Sequence, residues 1–372
     1  MVAGKRTKIK IDLTFLVAVL SLVAVGLVAD YSATYTMGGG RHGLFYKQVF
    51  WLVSGFFLLA LTVAIDYRKL ERWGYVFYGM AVALLLAVLV MGRTGMGAQR
   101  WLPLGPFSFQ PSEIAKLFLI VTLAKYFSED RTTDGHTLRQ LVKPFLLVAV
   151  PVLLVIKQPD LGTGLMLLFI FTAMVIASGI RLRSFIYLVA TAALSAPIAW
   201  QFFWKHLKDY QKKRLLVFVD PESDPAGAGY HIIQSKIAVG SGMLTGKGYL
   251  HGTQSQLSFL PERHTDFIFS VISEEWGFLG SMLVILVFLF VIMWGLETAN
   301  KAKDRFGALV AVGVSAMIFF HVFINIGMTI GLMPVVGVPL PLVSYGGTSA
   351  LTTLMALGLL LNINMRRFQL FY

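Results

Sequence analysis

The chain has 372 residues, 56% of them hydrophobic and only 14% charged, and a mean hydropathy of +0.72. A soluble domain of this length carries roughly a quarter charged residues, so composition excludes a water-soluble fold and leaves a polytopic membrane protein, all-α on the length of its apolar runs. The formal net charge of +13 at pH 7 invites a nucleic-acid reading. However, the Lys and Arg sit in short loops between apolar runs, where they orient helices against an anionic membrane surface, so no nucleic-acid partner is expected. Without cysteine, neither a disulfide framework nor a thiolate site is available.

The N-terminus, "MVAGKRTKIKIDLTFLVAVLSLVAVGLVADYSA", has the basic and apolar regions of a secretory signal. Its apolar run from Leu13 to Ala29 is too long for one, and further spans follow at once, so an uncleaved first transmembrane helix is expected. A span needs about 20 mainly apolar residues. On that criterion about ten helices are predicted, near 12–30, 47–65, 74–91, 112–128, 144–157, 162–180, 184–204, 269–296, 306–331 and 345–364. Between the fifth and sixth, "IKQPDLGTG" reads as a tight turn, with a single broken re-entrant segment as the competing reading.

Basic residues in short loops set the orientation. Lys5, Arg6, Lys8, Lys10, Arg68, Lys69, Arg72, Lys125, Arg131, Arg139, Lys143, Arg181, Arg183, Lys301, Lys303, Arg305, Arg366 and Arg367 share one side. Arg41, Lys47, Arg93, Arg100 and Lys157 lie opposite, so both termini are expected in the cytoplasm. Residues 205–268 form a long extracytoplasmic loop, exempt from that rule. It opens with "KHLKDYQKKRLLVF", suited to a helix in the headgroup layer, and passes through a turn-rich "DPESDPAGAG". No linker divides the chain, and one membrane domain over 1–372 is expected.

Four stretches carry the ionisable chemistry. "FLPERHTDFIFSVISEEWGFLG" ends the long loop and places His264 and Asp266 at the outer membrane boundary. A carboxylate between water and an apolar wall suits a general base, because limited desolvation raises its basicity. The alternative is a simple helix N-cap. Glu274 and Glu275 read as mostly structural. In "FQPSEIAKLFLI", Gln110-Pro111-Ser112 looks like a helix start, and Glu113 and Lys116 fall on one face. Ionisable groups in a span tend to be paired and to face the interior, so these two either line a polar cavity or lock helices together.

In "KQPDLGTG", charge balance suggests that Asp160 pairs with Lys116. In "GMTIGLMPVVGVPLPLVSYGGTSAL", an irregular backbone at membrane depth must be buried or line a wet cavity. There Ser344, Tyr345, Gly346 and Gly347 offer main-chain donors for an anionic headgroup, or else form a turn with packing glycines. His321 and Asn325, four apart, read as an interhelical hydrogen-bonding pair rather than a ligand site. A Walker A loop, an HExxH motif and a defensible Ser-His-Asp order are all missing. The loops also leave no room for a nucleotide-sugar domain, so any sugar donor must arrive attached to lipid.

Together these stretches resemble the SEDS family (shape, elongation, division and sporulation). The resemblance runs from "YSAT" to "LNINMRR", with "LPERHTDFIFSVISEEWGFLG" and "GLMPVVGVPLPLVSYGGTS" as its most specific motifs. "PERHTDF" and "PLVSYGGTS" are similar to the elongation-type rather than the division-type branch. The resemblance implies a ten-helix peptidoglycan glycosyltransferase that polymerises lipid II in the bacterial cytoplasmic membrane during cell elongation. The family's essential aspartate falls on Asp266, and its intramembrane polar residues fall on Glu113, Lys116 and Asp160. Implied partners are lipid II, the lipid-linked glycan strand, a class B penicillin-binding protein, other elongation-complex proteins and membrane lipids.

The leaving polyprenyl diphosphate needs cations. Arg100, Lys213, Arg214, Lys236 and Arg263 are candidates, with His264 and Ser344 as further substrate contacts. A divalent cation (Mg or Mn) is a possible cofactor and no organic one is expected. A lipid II flippase is the alternative of another class, favoured by charges inside the spans. A division-type polymerase and a non-catalytic scaffold are the others.

Overall fold

The computed structural model describes residues 12–35, 42–95, 98–104, 107–130, 132, 135–206, 209–224, 227–257, 259–260 and 262–367. Lys5, Arg6, Lys8, Lys10, Arg41 and Arg131 of the charge-bias reading lie outside them, as do Pro225 and Ala226 of the turn-rich break. Each predicted span coincides with a helix: α1 (Leu13–Tyr35), α2 (His42–Ala64), α3 (Tyr67–Met91), α4 (Pro111–Glu129), α5 (Leu138–Lys157), α6 (Leu161–Ser178) and α7 (Leu182–His206). The last three spans are α11 (Ile268–Asn300), α12 (Arg305–Thr329) and α13 (Gly347–Arg366), which follow three shorter helices of the long loop.

Among the described residues eight of these, all but α4 and α7, are long and apolar enough to cross a membrane. The chain is a multi-pass α-helical membrane protein. Of the charges on α4, Glu113 and Lys116 are turned inward as it packs against α3, α6 and α12. By contrast, α7 stands at the periphery, with Leu182, Ile186, Tyr187, Leu194 and Trp200 exposed.

Several helices begin before their apolar runs do. Asp66 accepts the Arg68 amide at 3.1 Å, so α3 starts in the polar "YRKLER" turn. The Gln140 side chain accepts the Thr137 amide at 2.8 Å and starts α5 six residues before the predicted boundary. α5 and α6 are separate packed helices, not one broken segment. Asp160 caps α6, accepting from the Thr163 amide at 3.2 Å and its hydroxyl at 2.9 Å.

Between α3 and α4 lies a feature that hydropathy does not reveal. A three-stranded antiparallel sheet, β1 (Arg93–Gly95), β2 (Ala98–Leu104) and β3 (Phe107–Phe109), carries Arg100 on its central strand. The long loop folds into α8 (Asp209–Val219), a 3₁₀ turn at Pro221–Ser223, α9 (Ala228–Ser241) and α10 (Thr253–Gln256). Ser235 pins α9 to the bundle, its hydroxyl 2.7 Å from that of Ser270 and donating to the Thr329 carbonyl at 2.6 Å.

One predicted span is interrupted. Gly277 (φ 66°, ψ −162°) breaks α11, and the segment 242–248 fills the gap. Phe278 and Leu279 donate to the Met243 and Leu244 carbonyls at 2.8 and 3.1 Å, and Lys247 and Gly248 donate back to Glu274 and Glu275 at 3.0 Å each. Backbone freed by a broken helix is thereby satisfied within protein, as a bilayer demands.

Candidate active site

Asp266 sits in the turn between α9–α10 and α11. The first residue of α11 is Ile268 and Phe267 occupies the cap position, so the carboxylate of Asp266 does not cap the helix. The turn is held from within: Thr265 and Phe267 amides donate to the Glu262 carbonyl at 3.3 and 3.2 Å, and the Thr265 hydroxyl donates to the Glu262 carboxylate at 3.1 Å. It is also held from the bundle, where Asn325 of α12 donates through Nδ2 to the Asp266 carbonyl at 3.0 Å and to the Val338 carbonyl at 2.8 Å. These bonds fix the Asp266 backbone while its carboxylate has no hydrogen-bond or ion-pair partner among the described residues.

Opposite the carboxylate lies Gly337, whose φ of 73° suits glycine. A Cβ there would sit 3.2 Å from Asp266 Oδ2. Loss of water around Asp266 raises its pKa to about 6; Glu262 adds to that rise, Arg214 and Arg100 oppose it, and Asp160 pushes the same way as Glu262. Two guanidinium groups and two further carboxylates thus act on one poised base. Arg100 reaches the site from β2, with Nη1 3.7 Å from Asp160 and Nη2 donating to the Pro159 carbonyl. Arg214 reaches it from α8, donating to the Val335 carbonyl at 3.2 Å.

The remaining candidates are placed elsewhere. Asp160 pairs with Arg100, not with Lys116 as charge balance suggested. Lys116 has a nearer anion in Glu113, 2.8 Å away on its own helix, and a second contact in His321 at 2.7 Å. The exposed ammonium of Lys213 is held by Asp224 at 3.0 Å. Lys236 is exposed and lays its stem over Gly331. Arg263 is buried against α1, its Nε donating to the Ala33 carbonyl at 2.7 Å.

Three of the four "VSYGG" amides are also engaged. The amides of Ser344, Tyr345 and Gly346 donate to the Leu340 carbonyl (2.9 Å), the His264 carbonyl (2.9 Å) and Gln48 Oε1 (3.2 Å). The Ser344 hydroxyl accepts from the Leu340 amide at 2.8 Å and donates to the Thr265 carbonyl at 2.6 Å. His264 places its ring 5.7 Å from that of Tyr345. Through these bonds the loop braces the Asp266 turn.

Glu274, fully buried, gathers the Lys247 ammonium (2.8 Å), the Thr253 hydroxyl (3.1 Å) and the Gln254 and Ser255 amides (2.9 and 3.2 Å). Glu275 accepts from the Ser32 hydroxyl. Both acids organise the loop over the bundle, as their position on α11 suggested. Glu262 lies within a motif read from sequence but was not chosen, and Asn325 was read only as half of a hydrogen-bonding pair with His321. Nothing short of the folded turn places Glu262 beside Asp266 or Asn325 beneath it. Asp30 gave no sequence signal at all; it is buried in α1 near Tyr345, with neither carboxylate oxygen partnered among the described residues.

Comparison with known proteins places this geometry in a family. Residues 11–369 match the FtsW/RodA/SpoVE family model, described as cell cycle protein. The chain is 42% identical over 360 residues to the peptidoglycan glycosyltransferase MrdB of Escherichia coli K12, spanning 97% of this chain and 95% of that one. It is similar to a chain solved in a study of how a peptidoglycan synthase complex coordinates polymerization and crosslinking. That match has a TM-score of 0.82 and 33% identity, over 96% of this chain and 99% of the other. The rod shape determining protein RodA of Thermus thermophilus matches with a TM-score of 0.71 and 30% identity, over 96% and 98% of the two chains. The chain belongs to the FtsW/RodA/SpoVE family, the SEDS proteins.

Proposed function

We propose that this chain is a peptidoglycan glycosyltransferase of the elongation type, polymerising lipid II into glycan strands at the outer face of the bacterial cytoplasmic membrane. The observation that carries the reading is the unpartnered Asp266 carboxylate, poised near neutrality and flanked by Arg100 and Arg214. Asp266 takes the proton of the acceptor sugar hydroxyl as its oxygen attacks the anomeric carbon of the lipid-linked donor. The bond from that carbon to the diphosphate breaks, and the two guanidinium groups meet the charge developing on the departing polyprenyl diphosphate. The polyprenyl tails stay among the helices while headgroups meet at the lip.

Among the described residues no three His, Asp or Glu side chains lie close enough to ligate a metal. A divalent cation would therefore be held chiefly by substrate phosphates, which leaves the Asp266 carboxylate free to act as the base. Such an ion would add charge stabilisation at the diphosphate. A single-pass class B penicillin-binding protein is the partner that supports this activity and supplies crosslinking.

The deciding experiment is glycan polymerisation from lipid II in detergent by the complex with that partner, wild type against Asp266→Asn, with and without added divalent cation. Polymer from wild type and a loss of at least a hundred-fold in the variant support the reading. Unchanged chain growth in Asp266→Asn overturns the base assignment. No polymer from wild type, with lipid II transport in liposomes intact, returns the flippase.

A further inference from the structure

Below the Asp266 turn, the bundle interior holds a three-membered polar contact that the reaction above does not use. Lys116, its side chain 2% exposed, lies 2.8 Å from Glu113 Oε1 and 2.7 Å from His321 Nε2. The other ring nitrogen of His321, Nδ1, is 2.7 Å from the Met317 carbonyl. Donor chemistry fixes the imidazole. A carbonyl only accepts, so Nδ1 carries the hydrogen; an ammonium only donates, so Nε2 carries the lone pair. His321 is therefore neutral and in one tautomer while this contact stands.

That tautomer acts on Lys116. A buried Lys–Glu pair can relax to amine and acid by passing one proton across its hydrogen bond, which removes both charges from a poorly solvated site. A second acceptor at Nζ favours the ammonium and fixes two of its three N–H directions. The third has no partner among the described residues.

The layer above is short of partners too. α12 ends at the Asp266 face, where Asn325 holds the Asp266 carbonyl, and α4 starts on the extracytoplasmic side of the bundle, where its Gln110 amide meets the Thr348 hydroxyl of α13 at 3.2 Å. The two helices are thus antiparallel, so Ser112 lies one turn above Lys116 and Asn325 one turn above His321. Ser112 Oγ, Asn325 Oδ1 and, on α13, Thr352 Oγ1 are all buried without a partner among the described residues.

We propose that His321 is a positioning residue of the reaction, holding Lys116 as an ammonium that presents its third N–H to this polar layer beneath Asp266. The inference rests on the glycosyltransferase reading for its effect on rate, but its structural half is testable without activity. His321→Leu removes the acceptor; His321→Gln keeps an acceptor oxygen of similar reach. In lipid II polymerisation, His321→Leu lowers kcat at least ten-fold with KM within two-fold, and His321→Gln recovers to within about three-fold of wild type. Adding Lys116→Met to His321→Leu costs no more than Lys116→Met alone.

Wild-type turnover in His321→Leu, no recovery in His321→Gln, or additive losses in the double variant overturns the proposal. Independently, nitrogen NMR of the resting protein labelled only in its histidine rings should show His321 with hydrogen on Nδ1 alone. His321 is identified by loss of its signals in His321→Gln, and a protonated Nε2 overturns the proposal whatever the kinetics. Should wild type prove inactive while that tautomer is seen, the enzymatic reading has failed and the contact has not.

Discussion

Asp266 differs from an ordinary surface aspartate in what surrounds it, and the surroundings make its ionisation adjustable. With its pKa raised to about 6, chiefly by loss of water, the group is a base only above that value. The rate under subsaturating substrate should therefore fall as pH drops through about 6, a limb that an unperturbed carboxylate would place near its ordinary value of 3.8. The signs of the neighbours give a sharper prediction. Arg214 holds the pKa down, so Arg214→Gln should move the limb to higher pH. Glu262 pushes it up, so Glu262→Gln should move it to lower pH. A shift of one unit corresponds to about 1.4 kcal/mol of differential interaction. Polymerisation rates over pH 4.5–8 read both; limbs moving the same way in the two variants would show that Asp266 does not set the profile.

Among the elements, α11 is where sequence and structure part most instructively. Hydropathy reads one span over 269–296, and the chain does form helix there. What the run conceals is Gly277, whose conformation is essentially closed to other residues and whose missing side chain admits the segment 242–248. A Cβ at position 277 would lie 2.7 Å from the Leu244 carbonyl. Gly277→Ala should lose about 1–3 kcal/mol from backbone strain alone, and the overlap adds to it. Thermal unfolding in detergent measures the loss. Limited proteolysis between 242 and 257 should rise with it, because Glu274 and Glu275 anchor that loop on the same broken helix. A variant as stable and as resistant as wild type would mean the insertion is not structural.

The same contrast explains the reach of sequence reading elsewhere. Long apolar runs made α1, α6 and α12 plain, and a charge inside a span flagged Glu113 and Lys116, because the bilayer punishes both lapses. The short sheet carrying Arg100 left no such trace, since its strands cover few residues and lie outside the apolar spans. Partner choice was the least legible feature. Lys213, Arg263 and Ser344 carry suitable chemistry, but the fold engages each with Asp224, Ala33 and Thr265.

At the scale of the whole molecule, one group of ion pairs marks the end away from the catalytic turn. Arg68 with Asp304, and Arg366 with Asp66, at 3.5 and 3.4 Å, gather where α3, α12 and α13 meet, at the end opposite the Asp266 turn. Basic residues beside helix ends are retained on the cytoplasmic side, so the Asp266 pocket should open outward. The natural absence of cysteine makes the orientation directly measurable. A single cysteine at exposed Met243, in the segment that fills the α11 break, should react with a membrane-impermeant maleimide added to intact spheroplasts. A cysteine at exposed Lys301, just beyond the end of α11, should react only after the membrane is permeabilised. The two positions flank one helix, so they must respond oppositely if α11 spans the bilayer. Labelling of both from outside would remove the span. Labelling of Lys301→Cys alone would invert the molecule and put Asp266 on the face where glycan strands are not assembled.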